Sequence, residues 1–135
     1  MAATALPFIR NLASSNSKLR TQSISTLESY LSTRQTLPRD EAQKLWTGLF
    51  YALWMSDRAR AQQHLADRIA SLAPPDAGLE SWYASFWEVI SRQWSSIDAL
   101  RLDKFLLLVR RLLAAQVRWA VRSGEFGLVA GVLKC

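Results

Sequence analysis

An all-α fold is predicted by three features of the sequence. Apolar residues recur at helical spacing along almost the whole chain, and no persuasive run alternates with a period of two. Candidate helix starts also recur, near residues 17, 57 and 96 and again near 38 and 79, which is close to the repeat length of helical hairpins of the HEAT type. The expected architecture is a right-handed α-solenoid segment of about five to seven helices, forming one domain over residues 1–135.

The elements follow in order. A short turn is expected around Pro7 to Leu12, and the cluster Ser14-Ser15-Asn16-Ser17 offers caps for a helix to about Ser32, with Leu19, Ile24, Leu27 and Leu31 at helical spacing. Thr36-Leu37-Pro38 separates it from a second helix over residues 38–55. Pro38 suits a first helical position, and Asp40 and Glu41 complement the positive end of the helix dipole. Its broad apolar face carries Leu45, Trp46, Leu49, Phe50, Leu53 and Trp54.

Ser56-Asp57 opens a third helix to about Leu72, and residues 73–78, Ala-Pro-Pro-Asp-Ala-Gly, form a loop inside the domain. A fourth helix, residues 79–94, presents Trp82, Phe86, Trp87, Ile90 and Trp94. Ser95-Ser96-Ile97-Asp98 has a Ser-x-x-Asp capping pattern and opens the longest helix, to about Arg122, before Ser123-Gly124 ends it. One more short helix fits residues 126–133. Each hairpin has an apolar face too broad to cover by itself, so stacking on neighbours must bury it. The last helices are then expected to need a cover, from a longer chain or from another protein. Trp46, Phe50, Trp54, Phe86, Trp87, Trp94, Leu106 and Leu113 are the expected core. Trp119 is ambiguous, because it projects toward the flank of a basic face.

Composition narrows the function classes. The chain is 50% hydrophobic and 21% charged, with six Trp and a single Cys at the last position, so neither a disordered chain nor a disulfide scaffold fits. No segment approaches the roughly 20 apolar residues a bilayer span requires, and Met1 to Phe8 lacks the basic leader and long apolar stretch of a secretory signal. The net charge of +6 comes from 13 Arg and 4 Lys against 11 acids. It gathers at the ends: +3 over residues 1–37, −1 over 38–94 and +4 over 95–135. Guanidinium pairs bidentately with phosphate and carboxylate, so acidic or polyanionic partners are indicated.

Enzyme signatures are missing from the sequence: no glycine-rich phosphate loop, no Cys or His cluster at metal spacing, no Gly-x-Ser-x-Gly turn. The single histidine, His64, has no sequence neighbour to orient it as a base and reads as structural or surface. Asp98 and Asp103 point to different faces of one helix; Asp98 suits the helix start and Asp103 an arginine neighbour. No cofactor, metal or small-molecule substrate is expected.

The longest helix carries the candidate binding surface. At roughly 100° per residue, Lys104, Arg111, Arg118 and Arg122 fall together with Arg101 to one side, while Leu102, Leu106, Val109, Leu113 and Ala120 gather opposite. Such a stripe either tracks phosphates, releasing counterions, or is a solvated face that keeps the helix in water. The tryptophans allow a reading as stacking platforms for bases, but their helical spacing favours the core.

Several of these segments resemble a known family. The runs KLWTGLFYALWMSD (44–57), QHLAD (63–67), Phe86-Trp87, SRQW (91–94) and above all IDALRLDKFLLLVRR (97–111), with PFIRNLA (7–13) at the start, closely resemble the amino-terminal domain of the nucleolar ribosomal RNA-processing protein 1 family. The resemblance implies an all-helical, repeat-like, non-catalytic assembly factor of the nucleolus. It implies action on large-subunit (60S) precursors and their RNA processing, with other pre-60S assembly factors, ribosomal proteins and pre-rRNA as partners and no membrane. Arg58 stands where the family usually has Lys, and the match thins after about Leu113. Asp57, Asp98, Arg101, Asp103, Lys104, Arg110 and Arg111 lie in the matched motifs. The resemblance implies that these form a surface or inter-hairpin network without saying which meet a partner; taken with the basic stripe, the residues expected to meet RNA or a partner are Arg101, Lys104, Arg110, Arg111, Arg118 and Arg122. The rival reading is an α-solenoid adaptor for proteins or peptides without RNA contact.

Overall fold

The computed structural model describes residues 7–123, so the helix expected at 126–133 lies outside the described residues. Within them the chain is all-α. Its helices are α1 (Pro7–Leu12), α2 (Ser17–Ser32), α3 (Arg39–Trp54), α4 (Ala59–Ser71), α5 (Leu79–Gln93) and α6 (Ala99–Ser123), with 3₁₀ turns at Asp76–Gly78 and Trp94–Ser96.

The helix boundaries follow from capping. Asn16 caps α2, its side-chain oxygen accepting from the N–H groups of Lys18 and Leu19 at 2.9 and 3.3 Å. Pro38 sits one residue ahead of α3, at φ −57° and ψ 145°, instead of inside its first turn. The third expected helix starts late, at Ala59, because Arg58 is extended. Asp98 caps α6 as expected: its carboxylate accepts the Arg101 N–H at 3.0 Å, while the Ser96 hydroxyl donates back to the Gln93 carbonyl.

Alternate helices pack on one another. α3 lies between α1 and α5, and α4 lies along α6. Arg68 ties α4 to α2 through the Ser25 hydroxyl at 2.7 Å. Gly48 permits the approach of α1 to α3, since a Cβ there would stand 2.8 Å from a Leu12 methyl. The core runs from Phe8 to Trp119. Trp46 and Trp82 meet at a tilt with centroids 4.4 Å apart and Phe86 meets Trp46 edge-on at 4.9 Å, joining α3 to α5. Both buried indoles are satisfied, Trp46 donating to the Trp82 carbonyl at 2.8 Å and Trp82 to the Leu72 carbonyl at 3.1 Å. Phe50 stacks on Phe105 at 4.7 Å and brings α6 onto α3.

A buried carboxylate fixes the α2–α3 corner. Glu41 accepts from the Tyr30 hydroxyl and pairs with Arg34 at 3.0 Å, and Arg34 also donates to the Tyr30 oxygen. Burial, reinforced by the Glu41 hydrogen bond and charge and opposed by Arg34, pushes the Tyr30 pKa up to about 12. The folded state therefore holds a proton that the unfolded chain loses near 10, and the stabilisation, complete below pH 10, is lost as pH rises toward about 12. Chemical denaturation midpoints should fall across this window, and Tyr30→Phe should flatten the fall. An equal decline in the Phe variant would assign the effect to other groups.

The candidate partner-binding surface

The site resides on α6, and its geometry depends on how that helix is rotated against α4. Phe105, Leu108, Leu112, Gln116, Trp119 and Ala120 form the buried stripe. Relative to the expected apolar face, the buried arc is displaced by about a quarter turn. Of the residues expected to face inward, Leu102, Leu106 and Val109 are half-buried, and only Ala120 is buried.

Among the expected core residues, Trp46, Phe50 and Phe86 are buried, and Trp54 and Trp87 are half-buried against the core. Two need correction. Leu113 and Trp94 are exposed, each at 38%. Leu113 faces outward because of the rotation of α6, and Trp94 because α5 ends at Gln93 and passes into a 3₁₀ turn. Trp119 lies inside, its ring 5.5 Å from that of Tyr83. Gln116, a polar residue fully buried on α6, accepts the Trp87 indole N–H at 2.8 Å, a join that apolar periodicity gave no means of finding.

Lys104 also departs from expectation. It is 5% exposed, and its ammonium donates to the carbonyls of Trp54 at 2.9 Å and Ser56 at 2.7 Å. It thereby closes the C-terminal end of α3, where helix carbonyls lack partners and the dipole favours a cation. Burial, with help from the Arg101 charge and against Asp57 and Asp98, holds its pKa below 10.5. Lys104 is a structural cation and does not belong to an open basic stripe.

The remaining cations divide by what they touch. Arg101 pairs with Asp98 and lies over the Trp54 ring, 4.2 Å from its centroid, covering an aromatic that α3 leaves half-buried. Arg111 donates to Asp67 of α4 at 2.6 Å, but both side chains are about half exposed, so the pair is worth ~0–1 kcal/mol and yields readily to a competing anion. Arg118 and Arg122 are exposed one turn apart beside Tyr83, where burial raises the phenol pKa and the two guanidinium charges oppose it. Arg110 is exposed toward a different side of α6.

Beside these cations runs an exposed apolar row that includes Leu113, a residue expected to face inward. Leu113, Val117 and Val121 succeed one another at four-residue spacing and are 38%, 44% and 64% exposed. The outer surface of α6 is thus an apolar strip with Arg110 in line with it at its N-terminal end and Arg111, Arg118 and Arg122 along one margin. His64 is exposed on α4, beside a shallow cleft also lined by Arg20 and Arg68. Among the described residues no group of three or more His, Cys, Asp or Glu side chains is placed to hold a metal ion, and no helix is long and apolar enough to cross a membrane.

The described residues thus define an all-α class of protein whose longest helix, α6, carries an exposed apolar row beside arginines. Comparison with known sequences makes the class specific: residues 3–125 match the family described as Nucleolar protein, Nop52, extending past the point near Leu113 where the motifs thin. Ribosomal RNA processing protein 1 homolog B of Mus musculus is 35% identical over 121 residues, covering 84% of this chain and 17% of the relative. The Homo sapiens homolog B is 34% identical over 127 residues, covering 88% and 17%, and a Drosophila melanogaster homolog 28% identical over 127 residues, covering 88% and 18%. The chain belongs to this Nop52, or ribosomal RNA processing protein 1, family. It spans about a sixth of the length of the first two relatives.

Proposed function

We propose that this chain is a non-catalytic ribosome-biogenesis factor of the nucleolus, a helical scaffold that joins assembly factors and ribosomal proteins to pre-rRNA in large-subunit precursors and so supports rRNA processing. Membership of a family described as nucleolar, with relatives named for ribosomal RNA processing, supports the setting. The scaffold is a single HEAT-like right-handed solenoid. Supporting this, Ser17, Ala59 and Ala99 open α2, α4 and α6 and Arg39 and Leu79 open α3 and α5, a recurrence of roughly 40 residues, and alternate helices stack.

The observation that carries the docking role is the outer surface of α6. Leu113, Val117 and Val121 favour a protein partner, because exposed apolar rows on an otherwise packed helix are the usual mark of such contact. Arg118 and Arg122, with Arg111 and Arg110, supply cations to phosphate. A second reading, a protein adaptor without RNA contact, gains support from Lys104 and Arg101, both engaged within the fold.

The two readings separate by salt. Replacing Arg111, Arg118 and Arg122 with Glu should preserve the helical spectrum and weaken retention of a pre-rRNA transcript. The slope of log affinity against log salt should also flatten, by ~0.7 per single-strand phosphate contact removed. Unchanged affinity and slope would leave the adaptor reading in place.

A further inference from the structure

A second surface lies away from α6, in the row formed by α1, α3 and α5. There an open groove of about 770 Å³ runs between α1 and α3 and reaches the end of α5. Its size falls within the range of ligand and peptide clefts. Its floor is small and apolar, from Ile9 and Ala13 on the α1 side and Gly48 on α3, where the missing side chain lets α1 pack close. Three cations from three elements surround it: Arg10, Lys44 and Arg92. All three are exposed, and none forms an ion pair with another described residue. The carboxylate in the lining, Asp40, accepts the Glu41 N–H at 3.0 Å in the first turn of α3.

We infer that this groove receives a short amphipathic acidic helix of a partner protein. An apolar floor accepts side chains that recur every three or four residues on one face of a helix, which is how helices enter grooves. Cations on the α1, α3 and α5 sides meet carboxylates on the flanks of that helix, a complementarity that favours acidic over basic partners. RNA fits less well. Bases require exposed ring faces, and the groove offers the one ring of Tyr51, held edge-on by Phe50 at 5.1 Å. This inference goes beyond the α6 surface and stands on different residues.

The test uses the whole chain and three fluorescent probes: an amphipathic helical peptide with a leucine face and a glutamate face, the same peptide with lysine for each glutamate, and single-stranded oligouridine. The glutamate peptide should bind. Lys44→Glu combined with Arg92→Glu should weaken it at least tenfold, and Ala13→Trp, which fills the floor without changing charge, should do the same in a protein of unchanged helical spectrum. Arg118→Glu with Arg122→Glu should leave it unaffected, so failure here is separable from failure of the α6 reading. Absence of binding, equal binding of the lysine peptide, or oligouridine binding lost with Lys44→Glu and Arg92→Glu would overturn the proposal.

Discussion

Truncating Trp82 to alanine should lower the unfolding free energy by about 3–5 kcal/mol, the cost of removing a fully buried large ring and leaving a cavity. The ring lies in the α3–α5 contact, tilted against Trp46, and its indole N–H satisfies the Leu72 carbonyl where the loop leaves α4. Against total stabilities of about 5–15 kcal/mol, such a loss removes from about a fifth of the stability to all of it. Trp82→Phe keeps much of the apolar contact and should cost about 1–3 kcal/mol, chiefly through the carbonyl left without a donor. Trp94→Ala is the internal control. Exposed at 38%, it should cost about 1 kcal/mol or less, and urea titration of the three variants by circular dichroism reads the ranking directly. A Trp94 loss equal to that of Trp82 would contradict the packing described.

The second large effect belongs to Lys104. Methionine there retains most of the aliphatic stem but strands the Trp54 carbonyl, while the Ser56 carbonyl keeps the Gln62 amide as a donor at 2.9 Å. The expected destabilisation is about 1–3 kcal/mol. Glutamate, bringing an unpaired negative charge against two carbonyls in a buried site, should cost about 3–5 kcal/mol. The sign of the pH dependence is fixed by the depressed pKa. Below 10.5 the unfolded chain holds the Lys104 proton more tightly than the folded one, so this group lets stability rise with pH as it approaches 10.5, opposite to Tyr30 above it. RNA retention per folded molecule should be the same in Lys104→Met and the parent protein. A methionine variant of full stability that loses RNA would return Lys104 to the docking edge.

Helix positions were largely legible because their signals are local. Asn16 before α2, the acids at the start of α3, the Pro-Pro loop ahead of α5 and Asp98 before α6 each act within one helical turn. The family was legible for a related reason, since runs such as residues 97–111 combine core positions with capping and pairing residues in one short stretch. The orientation of α6 was not legible. Apolar residues occupy more than half its circumference, from Leu102 through Leu113 to Val121, so the helical period alone admits several inward faces.

Amino-acid order therefore set the α-class, the helix borders, the family and the excess of arginine. Packing chose which arc of α6 turned inward. It drew Lys104 under the end of α3, where its long stem carries the ammonium to two carbonyls, and placed Gln116 against the Trp87 indole. It left Leu113, Val117 and Val121 outside and gathered Arg10, Lys44 and Arg92 from three separate helices around one groove. Capping and periodicity act between residues a few positions apart, whereas these choices compare contacts between residues some 30 to 80 positions apart, whose energies exist only once the helices have met.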